Sequence, residues 1–368
     1  MKLPLRLSIF FCLVIFSFIA TAQPVKVAVF APLNLTEAFN GSSYKLGKSN
    51  IPQSVLTGLE FYNGVMLAVD SLEREGASVE VSIYDIKQDS RTLNSLFLGT
   101  ELNNTGLIIA SVTNPTELRT IATYSLQKGI PFISATYPNN ANITDNPYFV
   151  MLNSSLLAHV EGLYKYVQRN FPLENIIMVS KNGAVENSLK KAFNDLNSKT
   201  KSTKVNWTWA QLTDTFSNQQ ITRYIDTTKN NVVLVASPLE TFGVKVVSAI
   251  NSYKSNNATI IGMPTWDGIR VLNNSTFRDV DIVYSTPFNF SMYNRVGSDI
   301  ARKYRAKFHS RPSDMVYRGY ETFFHFTKLL LKHDKDLINK IGDTDHTIFN
   351  QFDIQPVKLK TGAKADYH

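Results

Sequence analysis

From residue 25 onward the chain alternates short apolar runs with amphipathic stretches, and this alternation limits the folds open to it more than any other feature. Val25 to Phe30 reads as a buried strand ended by Ala31-Pro32-Leu33-Asn34. Gly58 to Leu72 then carries Leu59, Tyr62, Val65, Met66 and Val69 at helical spacing, with Asp70 and Glu73 outside the apolar stripe. Strands are expected at Val79 to Asp85, Gly106 to Ala110 and Ile130 to Ser134, and helices at Ser90 to Leu102 and Glu117 to Gln127, the latter stopped by Lys128-Gly129. Four βα units in this order predict a parallel sheet with helices on both faces. In such a sheet the ligand crevice lies at the carboxyl ends of the strands, so the loops after strands matter most.

The pattern then restarts. Helices are expected at Leu156 to Asn170, Val185 to Leu196, Gln219 to Thr227 and Phe242 to Tyr253. They alternate with strands at Asn175 to Ser180, Val205 to Ala210, Asn231 to Ala236 and Thr259 to Met263, followed by a strand at Asp281 to Thr286. Two long helices close the series, Asn294 to His309 and Tyr317 to Lys332, separated by Ser310-Arg311-Pro312-Ser313. The 346 residues after residue 22 exceed what one core usually accommodates, which also points to two lobes. The fold class expected is therefore α/β, with two doubly wound lobes.

The first 22 residues read as a leader. Lys2 and Arg6 precede the apolar run Leu7 to Ala20, and Ala20-Thr21-Ala22 is a small-x-small cleavage signature before Gln23. The run is shorter than the roughly 20 residues of a bilayer-spanning helix. Cys12, the single cysteine, lies inside it and follows Ile9-Phe10-Phe11, not the small residues of a lipoprotein site. Cleavage after Ala22 leaves a chain with neither disulfides nor thiol metal ligands. The net charge of +8 falls to +6 without Lys2 and Arg6, and the basic residues are scattered, so they read as solvated faces, not a nucleic-acid surface.

Common catalytic signatures are missing: there is no phosphate loop, no G-x-S-x-G elbow and no H-E-x-x-H helix. The six histidines have no ligand-like spacing. The expectation is a protein that is not an enzyme and that uses neither metal nor cofactor. Sequons at Asn34, Asn142, Asn153, Asn206 and Asn289 would suit a glycosylated secreted protein, yet a large eukaryotic ectodomain without disulfides would be unusual, which favours a bacterial envelope.

Together the order of elements and several loops resemble the type I periplasmic binding proteins, the leucine/isoleucine/valine-binding and extracellular ligand-receptor family. The resemblance rests on Val27-Ala28-Val29-Phe30-Ala31-Pro32-Leu33, the helix Gly58 to Leu72, Ile109-Ala110-Ser111-Val112-Thr113, and Gly129-Ile130-Pro131-Phe132-Ile133-Ser134-Ala135-Thr136. It continues through Asn146-Pro147-Tyr148-Phe149 and Thr286-Pro287-Phe288 to the stretch Tyr304 through Tyr320. It implies a hinge of three crossing strands, placed near Met151, Val283 and Ile341. The lobes would then be 23–151 with 284–340, and 152–283 with 341–356, leaving 357–368 as a tail.

The resemblance also implies ligand contacts, each with a plainer alternative. Ser111, Thr113 and Asn114 match the loop with which the family receives a carboxylate; the same residues suit N-capping of the next helix. Ala135 and Thr136 would complete those contacts, and Tyr137 either covers part of the cleft or packs on the first lobe. Asn34 points to the same edge and also begins an Asn-Leu-Thr turn. In the second lobe Asn182 stands where relatives frequently offer an aromatic side chain. Ser237 and Glu240 follow the next strand, Glu240 meeting an ammonium group or favouring the helix dipole. Trp266 and Asp267 follow the last strand, the indole acting as a plate over the ligand or packing beneath a hinge.

Two functions follow. One is an exported, periplasmic solute-binding protein that captures a small polar ligand (an amino acid, short peptide or similar) for an ABC-type transporter, with a membrane permease as partner. The other is an envelope interaction or regulatory protein on the same fold, for example in cell-wall metabolism, with little or no solute binding. Neither involves nucleic acid or a membrane span.

Overall fold

The computed structural model describes residues 23–88, 92–253, 258–290, 293–357 and 366–367. The leader, its cleavage site and Cys12 lie outside the described residues. The chain divides into two compact units, 1–152 with 290–368, and 153–289.

The first unit is built on a seven-stranded sheet. Its strands are β1 (Val25–Ala31), β4 (Val79–Asp85), β5 (Leu107–Ala110), β6 (Phe132–Ser134) and β7 (Phe149–Met151), with β13 (Pro356–Val357) and β14 (Asp366–Tyr367) at one edge. The order is β13-β14-β7-β6-β5-β1-β4, and every pairing is parallel except β13 with β14. A small antiparallel hairpin, β2 (Phe39–Asn40) and β3 (Ser43–Tyr44), stands apart from it. Residues alternate between two cores because successive side chains leave opposite faces of a strand. Val27, Val29, Leu107 and Ile109 enter one core, and Ala28, Phe30, Ile108 and Ala110 the other. Burial on both faces explains why these strands read as continuous apolar runs.

One face is covered by α9 (Arg295–Phe308), which adds Ile300 and Tyr304 to the core, and by two long helices, α2 (Gln53–Arg74) and α10 (Asp314–His333). The two long helices cross closely because each offers a glycine to the other's backbone. A Cβ on Gly64 would lie 2.0 Å from the Val316 carbonyl oxygen, and one on Gly319 would lie 2.2 Å from that of Phe61. The opposite face is covered by α3 (Leu93–Phe97) and α4 (Pro115–Lys128). The helix expected over Ser90 to Leu102 is thus much shorter: Thr92 caps it, its Oγ1 accepting from the Ser95 N–H at 3.2 Å, and it ends at Phe97 with Leu98 as its C-cap.

The second unit repeats the plan with five parallel strands in the order β12-β11-β10-β8-β9. These are β8 (Asn175–Lys181), β9 (Trp207–Leu212), β10 (Asn231–Val235), β11 (Ala258–Gly262) and β12 (Asp281–Tyr284). Ile177, Val179, Val233 and Val235 fill one core, Ile176, Met178, Val232 and Leu234 the other. The helices are α5 (Leu156–Asn170), α6 (Ala184–Lys199), the short α7 (Asn218–Thr222) and α8 (Glu240–Ser252). Both sheets are the doubly wound α/β arrangement that the alternation predicted.

Residues 341–356, expected in the second lobe, belong to the first unit, and Ile341 is not a crossing point. Ile341, Phe352 and Ile354 are buried in the same core as Phe323, Phe326 and Leu329 of α10. A buried carboxylate fixes the stretch: Glu321 accepts from the Phe349 N–H at 2.9 Å, the Asn350 N–H at 2.7 Å and the Asn350 side-chain amide at 2.6 Å. The stretch expected as a free tail includes Val357 of β13 and both residues of β14, whose Tyr367 pairs with Val150. The return to the first unit comes at 289/290, so residues 284–289, expected in the first lobe, lie in the second.

The same helix α10 holds further buried ionisable groups. Burial draws the Arg318 guanidinium down to about 10 and the His325 imidazole down to about 4, and pushes the Glu321 carboxyl up.

Candidate functional site

At the carboxyl edge of the first sheet, the loop after β1 is organised by a carboxylate that sequence reasoning did not single out. Asp85, the last residue of β4, accepts from the N–H groups of Leu33 (3.0 Å), Asn34 (3.2 Å) and Lys87 (3.0 Å) through Oδ1 and of Leu35 (2.9 Å) through Oδ2. Asn34 itself adopts left-handed backbone geometry and caps the one-turn helix α1 (Leu35–Ala38). Its side-chain amide donates to the Pro32 carbonyl at 3.2 Å and the Ser54 carbonyl at 2.7 Å. The turn reading describes Asn34: its side chain ties the loop to α2.

Ser111 and Thr136, from the loops after β5 and β6, come together as expected, with their hydroxyls 3.1 Å apart. Parallel pairing of Ala110 with Ser134 brings the two loops side by side. The Ala135 N–H donates to the Ala110 carbonyl at 2.8 Å, so this residue is buried backbone scaffold. Tyr137 is half-buried and packs on the core formed by Ala28, Phe30 and Phe132, which is the second of its two expected roles.

The start of α4 is more elaborate than a capped helix. Asn114 is the N-cap, and its Oδ1 accepts from the Glu117 N–H at 2.9 Å. Glu117 folds back: its Oε2 accepts from the Thr113 N–H at 3.2 Å and lies 3.4 Å from the Thr113 hydroxyl. Its Oε1 holds Lys87 Nζ at 2.5 Å. Residues 114–117 thus follow the reciprocal capping pattern in which a carboxylate at the third helical position reaches back towards the cap. The signal was present in Asn114-Pro115-Thr116-Glu117, but Lys87 is 30 residues away and no local pattern announces it. A pocket of about 460 Å³ adjoins this pair, lined by Lys87, Gln88, Thr92, Asn94, Thr116 and Glu117 among others.

The carboxyl edge of the second sheet uses the same position differently. Glu186, at the third position of α6, is 7% exposed and accepts from the Ser237 hydroxyl at 2.7 Å. Its carboxylate lies where a Cβ on Gly183 would stand, 2.1 Å away. The Ser237 oxygen in turn accepts from the Leu239 N–H at 3.3 Å. Ser237 is therefore brought to a carboxylate, but to Glu186 and not to Glu240, which is exposed in the first turn of α8. That placement suits a dipole-favoured carboxylate. Asn182 is exposed and accepts from the Gln211 side chain at 3.1 Å. Lys181 is paired with Asp214 at 2.7 Å.

Trp266 contradicts the expectation of an aromatic plate. It is 1% exposed and belongs to the second unit's core with Phe242, Val246, Ile260 and Phe277. Its ring occupies a slot left by two glycines: a Cβ on Gly262 would lie 2.0 Å from it and one on Gly243 would lie 2.7 Å away. Gly262 stands four residues before Trp266 at the end of β11 and Gly243 lies in α8, so the slot is assembled from a strand and a helix. Asp267, the next residue, is exposed. Among the described residues no group of three or more His, Cys, Asp or Glu side chains could hold a metal ion. No helix among them is long and apolar enough to cross a membrane.

No protein-family model matches the sequence, and no curated protein does. Solved structures do. A putative branched-chain amino acid ABC transporter protein from Rhodospirillum rubrum superposes with a TM-score of 0.66 at 10% identity, covering 94% of this chain and 95% of that one. The fold is that of the type I periplasmic binding proteins. An ABC transporter substrate-binding protein from Desulfitobacterium hafniense, in complex with Leu, gives a TM-score of 0.61 at 14% identity, over 94% of this chain and 100% of the other. A solute-binding protein of an ABC transporter from Rhodopseudomonas palustris, in complex with 3,4-dihydroxy benzoic acid, gives 0.52 at 17% identity, over 86% and 84%. The architecture that these binding proteins share is thus present here at identities that carry the fold alone.

Proposed function

We propose that this chain is an exported solute-binding protein that captures a small polar ligand, such as an amino acid, a short peptide or a similar solute, between its two lobes for an ABC-type transporter. Cleavage after Ala22 would release it into the periplasm, where a membrane permease would receive the loaded protein. It is not an enzyme in this reading.

The observation that supports it most is the agreement between the two units. Each is a doubly wound parallel sheet whose carboxyl edge gathers polar side chains from separate loops, Ser111 with Thr136 in the first and Glu186 with Ser237 in the second. That edge is where open α/β sheets receive ligands. Solved structures of the same fold hold leucine in one case and 3,4-dihydroxy benzoic acid in another, which supports solute capture and leaves a wide choice of solute. Ligand-induced closing of the lobes follows if the closed form binds better than the open one.

The chain from Gln23, refolded to remove any carried-over ligand, tests this by thermal shift against amino acids, peptides, amines, sugars and cell-wall fragments. A solute present at 100 times its dissociation constant should stabilise the protein by about 2.7 kcal/mol and raise its melting temperature. Silence across the panel, together with a stable complex formed with an envelope protein, would reject solute capture. One feature favours that second reading: Asn34, Thr113, Asn114 and Asn182, all expected to contact ligand, already have partners within the chain.

A further inference from the structure

We infer that Glu117 closes the first unit's solute loop to carboxylates, so that the solute presents to it a neutral or cationic group such as a hydroxyl, an amide or an ammonium. This deepens the solute-binding reading and rests on it for the identity of the loop.

The loop 111–117 leads into α4, a helix of 14 residues. Its first turn has the partial positive charge and free N–H groups that ordinarily attract an anion. Here the chain supplies the anion itself. Pro115 brings no N–H, the Glu117 N–H is taken by Asn114, and the Thr113 N–H is taken by the Glu117 carboxylate. Lys87, in the loop after β4, is held by the same carboxylate at 2.5 Å. The Glu117 side chain is only 12% exposed, so its charge is poorly screened by solvent.

An incoming carboxylate would therefore meet a like charge where it would otherwise find donors, and like-charge juxtaposition is strongly disfavoured. What the loop still offers is different. Ser111 and Thr136 carry hydroxyls that donate or accept, and the adjoining pocket of about 460 Å³ is lined by Gln88, Thr92, Asn94, Thr116, Glu117 and Thr120. These groups suit a polyol, an amide or an amine. Among the described residues at the second unit's carboxyl edge, Lys181 is paired with Asp214, whereas Glu186, Glu240 and Asp267 are acidic.

The test is a titration of the Thr113 amide resonance with sodium acetate at constant ionic strength, in the wild-type chain from Gln23, in Glu117→Ala and in Lys87→Met. The wild type should show no saturable shift. Glu117→Ala, which frees both the Thr113 N–H and Lys87, should show one, with affinity for acetate at least about tenfold above any wild-type response. Lys87→Met, which keeps the carboxylate in place, should behave as wild type. A saturable Thr113 shift in the wild type, or none in a folded Glu117→Ala, would overturn the inference. Should Glu117→Ala fail to fold, Glu117→Gln keeps the volume while removing the charge; it should gain a weaker saturable shift, and no gain counts against the inference.

The two readings fail separately. A carboxylate-bearing solute that stabilises the wild type and moves Thr113 would sink this inference and leave solute capture standing. A panel in which nothing stabilises the protein, alongside an acetate response gained by Glu117→Ala, would sink solute capture and leave the closed loop standing.

Discussion

Both units place a carboxylate at the third position of the helix that follows a central strand, Glu117 in α4 and Glu186 in α6, yet the two are used in opposite ways. Glu117 is ion-paired with Lys87 and satisfies the Thr113 backbone. Glu186 is more deeply buried and has the Ser237 hydroxyl as its hydrogen-bond donor. A shared helix-start device thus gives one edge whose carboxylate is tied to an ammonium group and another whose carboxylate is tied to a hydroxyl. The same contrast extends to the aromatics next to these loops: Tyr137 lies half-buried on the first unit's core, and Trp266 is sunk wholly into the second's.

Substitutions that remove these groups test the contrast, beginning with the aromatics. Trp266→Ala should destabilise the second unit by about 3–5 kcal/mol, since a fully buried ring leaves a cavity. Tyr137→Ala should cost under about half of that, because its ring is partly solvated already. Urea unfolding followed by probes in each unit reads the difference, and equal losses would remove the distinction. The helix crossing of the first unit should be nearly as sensitive. Gly319→Ala puts a methyl group against the Phe61 carbonyl, not against a movable side chain, and overpacking of this kind costs about 1–3 kcal/mol or more.

The carboxylates come next. Glu186→Gln should cost about 1–3 kcal/mol, the range for disturbing a buried hydrogen bond to a charged group. Glu117→Gln should cost no more than about 1 kcal/mol, because Lys87 is 27% exposed and can turn to water. A larger loss at Glu117 than at Glu186 would reverse the proposed order of burial.

A smaller effect concerns the buried ionisable groups on α10. Burial holds His325 down to about 4, below the ordinary value of 6.5. Between these two values the unfolded chain binds a proton that the folded chain refuses, so this contribution to stability is complete above pH 6.5 and is lost as pH falls towards 4. Glu321, pushed up by burial, acts in the opposite direction. The comparison is therefore made between wild type and His325→Leu: melting temperature should fall more steeply from pH 7 to pH 4.5 in the wild type, and parallel profiles would contradict the assignment.

The strands and their parallel order were legible because each apolar run is buried on both faces, and the edge carrying the loops followed from that order. Ser111 and Thr136 were legible for the same reason, since neighbouring strands deliver neighbouring loops. The partners of these loops were not. Asp85, Lys87 and Glu186 act on backbone or side chains 30 to 52 residues away, and nothing local distinguishes them from solvated charges. For Trp266 the sequence leaves a plate over the ligand and packing beneath a hinge both open, because its slot depends on Gly243 in α8 and Gly262 in β11. The family resemblance puts residues 341–356 in the second lobe through a third crossing near Ile341, whereas their place is set by Phe352, Ile354 and the Glu321 carboxylate.

Solute capture requires that the loops at the sheet edges take up a solute. Isothermal titration of the refolded chain with the most stabilising solute of the panel, in the wild type and in Ser111→Ala/Thr136→Val, measures this directly. One solute should bind per chain in the wild type, with affinity reduced at least about tenfold in a folded double variant. No binding by the wild type, or equal affinity in both proteins, would contradict solute capture by these loops.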